Sequence, residues 1–550
     1  MAMRLMRHVP LLESSMRRAI VPSIANTLCI RCRRYASSPA AYPENIAVFG
    51  GGIAGLASAY FASKEFPESK ITVYEAGIQP GGWVQSKRVP VAGGDVLFEC
   101  GPRTLRPVDY LPTAKLIQEL GLKKDLLTTS KTAPGAKNRY VFYPDRLNLM
   151  PNGQGLANLF SLIRSGVMAG IHTIFREPFR PVRGSSLKDE SIGSFISRRW
   201  DERLVQRLAS AVFHGIYAGD VWKLSARSLL SQLWHLEVRG NGVLDAHMQT
   251  YRNGKAHWLC PPYYVEAMEA KDEEIKLDHV LERLLSRCSV FTFKNGTQQL
   301  TDALHKNLVR NPRVRMKLGT RVESYEMATN GVQKVKVVAQ GEPSRDFDIV
   351  ISTLREPSLT PYVTVMTVNL YYTKPNLNPV PGFGYLIPQG VPFDQNPERA
   401  LGVTFDSDAI KGQDTAQGTK LTVMLGGHWW DGWDSYPDSA EGVELAKSIV
   451  RRHLNITDEP AATHVGLWKD CIPQYTVGYE DRLRDHVVET RNKFRGRVRL
   501  AGAQYNGVAV NSCTAQAWWV VRGLRGSGWR ERATGLEGRV ADEPWVLRRA

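Results

Sequence analysis

The chain has 550 residues, 43% of them hydrophobic, and a formal charge of +17. Such a length can bury a large core in two or three domains, and the composition excludes a disordered chain. Seven scattered cysteines, whose one CxxC (Cys29 and Cys32) lies near the N-terminus, exclude a disulfide framework and a zinc ribbon.

Residues 1–40 hold seven arginines against the single acid Glu13, a bias that predicts a mitochondrial transit peptide with processing near Arg33–Ser38. From Arg522 onward come seven more arginines and four acids. The body between keeps a charge of about +8, which suits an anionic surface or an acidic ligand. No RNA-binding aromatic motif or zinc finger is present, so nucleic acid is not an expected partner.

The first element is the apolar run Ile46-Ala47-Val48-Phe49, which reads as a buried parallel strand. It ends at Gly50-Gly51-Gly52-Ile53-Ala54-Gly55, a helix is expected from Leu56 to about Lys64, and Ile71-Thr72-Val73-Tyr74 reads as a second strand finishing at Glu75. In such a βαβ unit the first glycine allows the tight turn, the second lets backbone approach a pyrophosphate, and the third lets helix and strand pack closely. The helix N-terminus offers free N–H groups to phosphate, and Glu75, 20 residues past Gly55, meets a ribose hydroxyl. Dinucleotide binding follows. Only one GxGxxG is present, so a separate nicotinamide domain is not expected and electrons must leave to oxygen or another direct acceptor.

Residues 156–176 predict a helix whose apolar positions alternate with Arg164, His172 and Arg176; it is either an amphipathic helix in a membrane interface or a core helix. Its charges, with Gly166, Gly170 and Pro178 in and after it, argue against a transmembrane span. Ser191 to Leu285 keeps a helical pattern, with stripes at Leu204, Leu208, Val212 and at Leu277, Val280, Leu281, Leu284. After Gly319 strands are expected at 322–327, 332–338, 349–353, 363–372 and 421–426, read together as a second sheet carrying a substrate site.

The residues after Glu75, Ala76-Gly77-Ile78-Gln79-Pro80-Gly81-Gly82-Trp83, resemble the second glycine turn of flavoproteins of the amine oxidase superfamily. Gly101-Pro102-Arg103-Thr104 then resembles the flavin-lining motif of the protoporphyrinogen oxidase family. The likeness continues in Gly382-Phe383-Gly384-Tyr385-Leu386, Val423-Met424-Leu425-Gly426-Gly427, Cys471-Ile472-Pro473-Gln474-Tyr475 and Gly507-Val508-Ala509-Val510-Asn511. It implies an α/β chain, α+β overall. A Rossmann-type FAD-binding domain (41–112, 287–356, 465–516) stands beside a mixed-sheet substrate domain (113–155, 357–464) and a helical, membrane-facing subdomain (156–286), before an atypical tail (517–550).

The resemblance further implies non-covalent FAD, held by the two glycine turns and the 101–104 motif, with Val322 at the adenine end, Trp468 near the isoalloxazine, and Val508, Ala509 and Val510 near the pyrimidine ring. Arg139 falls where the family places a propionate-binding arginine. Phe383, Gly384 and Leu386 match a wall around the macrocycle, and Met424 matches a neighbouring contact. The implied partners are protoporphyrinogen IX and O2, with peripheral attachment to the mitochondrial inner membrane, a homodimer, and handover of product to the next haem-pathway enzyme. No general base is assigned, and His214, His428 and Asp220 receive no role. Two other readings remain: a relative acting on amines or polyenes, and a non-enzymatic flavin or porphyrin carrier. The segment 354–360 is shorter than the family's, paired Trp518 and Trp519 are expected to crowd the terminal helix, and the tail beyond about Gln516 is expected to weaken FAD retention.

Overall fold

A strand without a polar face needs cover on both sides, and the run at Ile46–Phe49 finds it. The computed structural model describes residues 42–151, 162–250, 257–329 and 333–549. In it Ile46 and Val48 pack with Leu56, Ala57 and Tyr60 of the first helix, whereas Ala47 and Phe49 pack with Val335, Val337 and Phe347 of a small three-stranded sheet. The predicted leader lies outside the described residues.

Twelve strands form the two principal sheets. In chain order they are β1 (Asn45–Phe49), β2 (Lys70–Tyr74), β3 (Tyr140–Phe142), β4 (Leu147–Leu149), β5 (Val314–Lys317), β6 (Ile349–Ser352), β7 (Tyr362–Tyr372), β8 (Gly384–Leu386), β9 (Ala400–Phe405), β10 (Thr419–Gly426), β11 (Ala462–Pro473) and β12 (Val498–Leu500). Three helices bear on the site: α1 (Ile53–Glu65), α2 (Ser439–Leu454) and α3 (Val510–Arg522). The first sheet is parallel throughout, in the order β5-β2-β1-β6-β12, with α1 crossing from β1 to β2. The second, β11-β7-β10-β9-β8-β3-β4, is antiparallel except where β8 meets β3.

Side chains alternate across a sheet, so the pairings of the second one fix which residues share a face. Asn369 stands opposite Thr422 and His464, Thr422 opposite Thr404, Thr404 opposite Gly384, and Leu386 opposite Val141. One face therefore carries Val141, Gly384, Leu386, Gly402, Thr404, Thr422, Met424, Thr367, Asn369 and Trp468. The opposite face, with Phe142, Tyr385, Val403, Phe405, Leu421, Val423, Met366 and Val368, is apolar and packs on Ala446, Ile449, Val450 and Leu454 of α2. The helix takes one side of the sheet and leaves the polar and small residues on the other.

Several expectations need correction. The strands after Gly319 do not form one sheet: Val322–Met327, Val335–Ala339 and Arg345–Phe347 make their own antiparallel sheet, and β6 joins the parallel one. A four-residue run buried throughout, as β6 is, carries no sign of which neighbours it will take. Part of the expected 156–176 helix lies outside the described residues, and the rest is not one α-helix. Gly166 (φ +75) and Gly170 (φ +89) turn the chain into the left-handed region, and Ile171–Phe179 winds as a tighter 3-10 helix. Val212 and Val280 face outward, and the buried positions are Leu204, Val205, Leu281 and Leu285. Among the described residues no helix is long and apolar enough to cross a membrane.

The paired tryptophans do not crowd the terminal helix. Trp518 is buried in the same core as Ala54, Ala57, Ala59 and Ala62, whose small side chains on α1 leave it room, and Trp519 is half-buried at the edge. The tail after α3 is built into the fold. Leu500 on the edge strand β12 donates to the Thr534 carbonyl at 2.9 Å. The buried Arg499 guanidinium donates to the carbonyls of Gly496, Gly528 (2.8 Å), Glu531 and Ala533. Val546–Arg549 pairs antiparallel with His257–Cys260. The short 354–360 segment is anchored too: the Gln504 amide donates to the Leu354 carbonyl (2.8 Å) and accepts from the Glu356 N–H (3.0 Å).

Candidate functional site

Gly50 ends β1 in the left-handed region (φ +96), and its N–H donates to the Tyr74 carbonyl at 2.8 Å. Gly52 caps α1 without a side chain to occupy the first-turn N–H groups, which stay available to an anion. A Cβ at Gly55 would lie 1.9 Å from the Gly50 carbonyl oxygen, so the third glycine permits the close helix–strand contact. The second glycine turn lies against the first: Gly81 N–H donates to the Gly51 carbonyl (2.8 Å), and a Cβ at Gly82 would stand 3.2 Å from the Gly52 Cα. Glu75 accepts from the N–H groups of Gly51 (2.5 Å) and Gly77 (2.6 Å), which places its carboxylate at the end of β2 beside the cradle.

A cavity of about 490 Å³ opens here, lined among others by Gly50, Glu75, Ala76, Thr320, Val322 and Tyr362. Its size is ordinary for a small-molecule site. A Cβ at Gly52 would meet no protein atom within 4 Å. Two close-packed glycine edges, a bare helix N-terminus and an acid beside this cavity fit the adenosine diphosphate half of a dinucleotide. The sequence-predicted Val322 lines the same space, and so does the short segment through Leu354, Arg355 and Pro357.

The 100–103 segment lies across the polar face of the second sheet, whose Thr367, Asn369, Thr404 and Thr422 are buried. The Cys100 carbonyl accepts from Thr367 Oγ1 (2.8 Å) and from Trp468 Nε1 (2.6 Å). Gly101 passes so near the Trp83 carbonyl that a Cβ would be 2.0 Å from it, and Trp83 meets Trp468 edge to face at 5.7 Å. The Pro102 carbonyl accepts from Thr297 Oγ1 (2.6 Å). The Arg103 guanidinium hydrogen-bonds Thr404 and stands 3.5 Å from Asp406. Thr104 is half-buried beside Leu105. Ala509 caps α3, again without a capping side chain, so Val508, Ala509 and Val510 present a second helix N-terminus, as the sequence predicts.

Of the predicted substrate residues, Gly384, Leu386 and Met424 share the polar face with Trp468. Arg139 immediately precedes β3 and Phe383 precedes β8, and the Arg139 guanidinium lies 4.6 Å above the Phe383 ring. Burial, and then the charge of Arg106, hold Arg139 below the usual guanidinium range. Leu386 packs beside Val141, Leu162, Val167 and Ala211, whereas Met424 belongs to a separate group with Ala218, Leu401 and Trp429. The same face also carries Thr367, Asn369, Thr404 and Thr422, to which sequence reasoning gave no site role; period-two alternation from Met424 finds Thr422, and the others follow only from the pairing of β7 and β9 with β10. It also missed Asn511, whose amide ties α3 to the carbonyls of Arg106 and Val108.

His214 and His428 sit outside this face, with their Nε2 atoms 2.8 Å apart. His214 Nδ1 donates to the Ile387 carbonyl (2.6 Å). Burial pushes His214 down to about 3 and His428 down to about 4, so both are neutral near pH 7. Burial likewise pushes the Cys100 thiol up to about 11 and the Cys513 thiol to about 12, which leaves neither a ready nucleophile.

A parallel dinucleotide-binding sheet whose second glycine turn and 100–103 segment lean onto a mixed sheet defines a flavin-dependent oxidoreductase. The flavin containing amine oxidoreductase family matches residues 53–523, and the chain is a member of that class, with FAD as its cofactor. It is 35% identical over 485 residues to the protoporphyrinogen oxidase of Schizosaccharomyces pombe, covering 85% of this chain and 96% of that one. It is 30% identical over 500 residues to that of Homo sapiens, covering 86% and 96%. Among solved structures, one from Exiguobacterium sp. superposes with a TM-score of 0.65 at 19% identity, covering 88% of this chain and 98% of that one. Cyclohexylamine oxidase from Brevibacterium oxydans gives 0.54 at 13%, covering 91% and 100%. These two likenesses speak for the fold. Within its class the chain belongs to the protoporphyrinogen oxidases.

Proposed function

We propose that this chain oxidises protoporphyrinogen IX to protoporphyrin IX, with O2 as the acceptor and hydrogen peroxide as the second product. The observation that carries the reading is a half-buried arginine, Arg139, stacked on Phe383 beside a face of small and polar residues, with no ion-pair partner among the described residues. A reduced tetrapyrrole brings apolar rings and two propionates, and a guanidinium fork suits a carboxylate. An amine substrate would meet the wrong charge there.

FAD would be held by the glycine turns at Gly50–Gly55 and Gly81–Gly82, by Glu75 and Val322 at the adenosine end, and by the second helix N-terminus at Ala509 and Val510. When bound it supplies the acceptor for hydride from a ring-bridging carbon, a step repeated three times with O2 restoring the cofactor. The protein's own part is to bind and orient. Arg139 fixes a carboxylate, Phe383, Leu386 and Met424 give apolar contact, and Gly384 and Gly402 keep the floor flat. The N-terminus of α3 favours negative charge developing near it.

The test is anaerobic addition of protoporphyrinogen to purified protein. Bleaching of the yellow flavin, followed by porphyrin fluorescence on admitting air, supports the reading; an unbleached flavin refutes it. Turnover unchanged in Arg139→Ala would point instead to the amine or polyene class.

The chain is further proposed to attach peripherally to an anionic membrane. Ile163, Phe175, Phe179 and Val182 are exposed, Phe179 to 88%, with Arg164 and Arg176 exposed among them. The one acid of the stretch, Glu177, is buried against Arg199. Apolar side chains mixed with cations, the acid withdrawn, suit a headgroup interface. Loss of sedimentation with cardiolipin-containing vesicles in a Phe175→Ser/Phe179→Ser variant is the expected result.

A further inference from the structure

Two unlike parts of the chain border the cavity beside the glycine cradle. One is Gly50, Glu75 and the 320–322 segment, which is tied to β2 by the Thr320 N–H on the Glu75 carbonyl (2.8 Å). The other is the short link between β6 and β7, with Leu354, Arg355, Pro357, Pro361 and Tyr362, beside Asp470 of β11. That link is held at both ends and in the middle. The Thr353 N–H donates to the Phe49 carbonyl (3.0 Å), Gln504 holds Leu354 and Glu356, and the Pro361 carbonyl accepts from the Gln474 N–H (2.9 Å).

Leu354, Pro357 and Pro361 are exposed and line the same space, so the link offers apolar surface to whatever fills it. Arg355 is fixed among them. Its Nη1 stands 3.1 Å from a carboxylate oxygen of Asp470 and donates to the Asp470 carbonyl (3.2 Å), and its guanidinium lies 5.8 Å from the centre of the Tyr362 ring. Asp470 balances its charge. What Arg355 adds to the cavity is therefore a flat face more than a net charge, and a guanidinium face stacks on aromatic rings.

We infer that Arg355 is a further cofactor-binding residue that stacks on the adenine of FAD, with Leu354, Pro357 and Tyr362 completing an apolar and aromatic wall for the base. The inference rests on the reading that seats the adenosine diphosphate half of FAD in this cavity. With the diphosphate on the first-turn N–H groups of α1 and the ribose at Glu75, the base is the part left for this wall. Adenine is planar, uncharged and aromatic on both faces, which matches apolar side chains and a charge-balanced guanidinium better than a phosphate or carboxylate does.

The test uses the full chain loaded with FAD and measures, by ultrafiltration at a series of dilutions, the FAD set free. The visible spectrum of the retained flavin reports that each variant holds it in the same surroundings. Arg355→Ala should raise the Kd about fivefold, the scale of one stacking contact in a partly exposed site. Arg355→Lys keeps the charge and can still pair with Asp470 but has no planar face, so it should bind FAD as weakly as the alanine variant. Wild-type affinity in Arg355→Ala overturns the inference, and so does wild-type affinity in Arg355→Lys, which would assign the effect to charge or to the ion pair. Gly52→Ala run alongside separates the two levels. Unchanged affinity in Gly52→Ala removes the cofactor from this cavity, and the inference falls with it; a loss there with none in Arg355→Ala overturns the inference alone.

Discussion

Gly52→Ala separates what the glycine cradle does for the protein from what it does for the cofactor. Gly52 has φ −73, a conformation any residue adopts, and an added Cβ meets no protein atom within 4 Å. Alanine there should leave the cofactor-free protein within about 0.5 kcal/mol of wild type. The methyl group would, however, project from the cap of α1, where the pyrophosphate must come within hydrogen-bonding reach of the first-turn N–H groups. Holding the phosphate off that helix end removes one or two charge-assisted hydrogen bonds of about 1.5–3 kcal/mol each, a loss of about ten- to a hundredfold or more in FAD affinity. Deflavinated protein titrated with FAD and followed by flavin fluorescence gives the Kd, and thermal unfolding of the same samples gives the stability. Gly55→Ala is the contrast: its Cβ would sit 1.9 Å from the Gly50 oxygen, so α1 must shift and both quantities should fall. FAD bound by Gly52→Ala as tightly as by wild type would refute the placement of the cofactor on this turn.

Acid should destabilise the fold through its buried histidines. His214 and His428 have folded-state values of about 3 and 4, below the ordinary 6.5, so below pH 6.5 the unfolded chain binds more protons. The stability present above 6.5 is lost as pH falls toward 4, by up to about 1.4 kcal/mol per pH unit for each histidine, and denaturant midpoints at pH 7 and 5 measure it. A His428→Gln chain should show the shallower slope. Arg539 and Glu480 pair through two 2.6 Å hydrogen bonds with side chains 19% and 11% exposed. Arg539→Ala strands the carboxylate and should cost about 3–5 kcal/mol, seen as a lowered melting temperature, while Arg539→Leu combined with Glu480→Leu should recover most of it.

The nucleotide cradle was legible in the sequence because its parts are local: strand, glycine turn, helix, strand and acid follow one another within residues 45–75. The residues proposed for the substrate wall were named only through the family likeness, since Arg139, Phe383 and Met424 are far apart in the chain, on or beside β3, β8 and β10. Partner choice was not legible. Nothing in Ile349–Ser352 says that it lies beside β1, and nothing in Val322–Met327 says that it does not join the large sheet. The expected crowding at Trp518 came from reading α3 alone, when the space is set by the alanines of α1 on the other side of the contact. The broken 162–179 segment carried its own signal in Gly166 and Gly170, whose left-handed turns outweigh the helical spacing of the apolar residues around them.

The order of the parallel sheet dictates when the cofactor can be captured. Its five strands are drawn from residues 45–49, 70–74, 314–317, 349–352 and 498–500, and the edge strand is held in turn by residues 528–534. A nascent chain therefore makes the glycine turns early but cannot complete the sheet beneath them until residues 498–534 have followed. Flavin loading is expected to wait on those residues, and lesions in 528–534 should lower the flavin content of the purified protein as lesions in the first strand do.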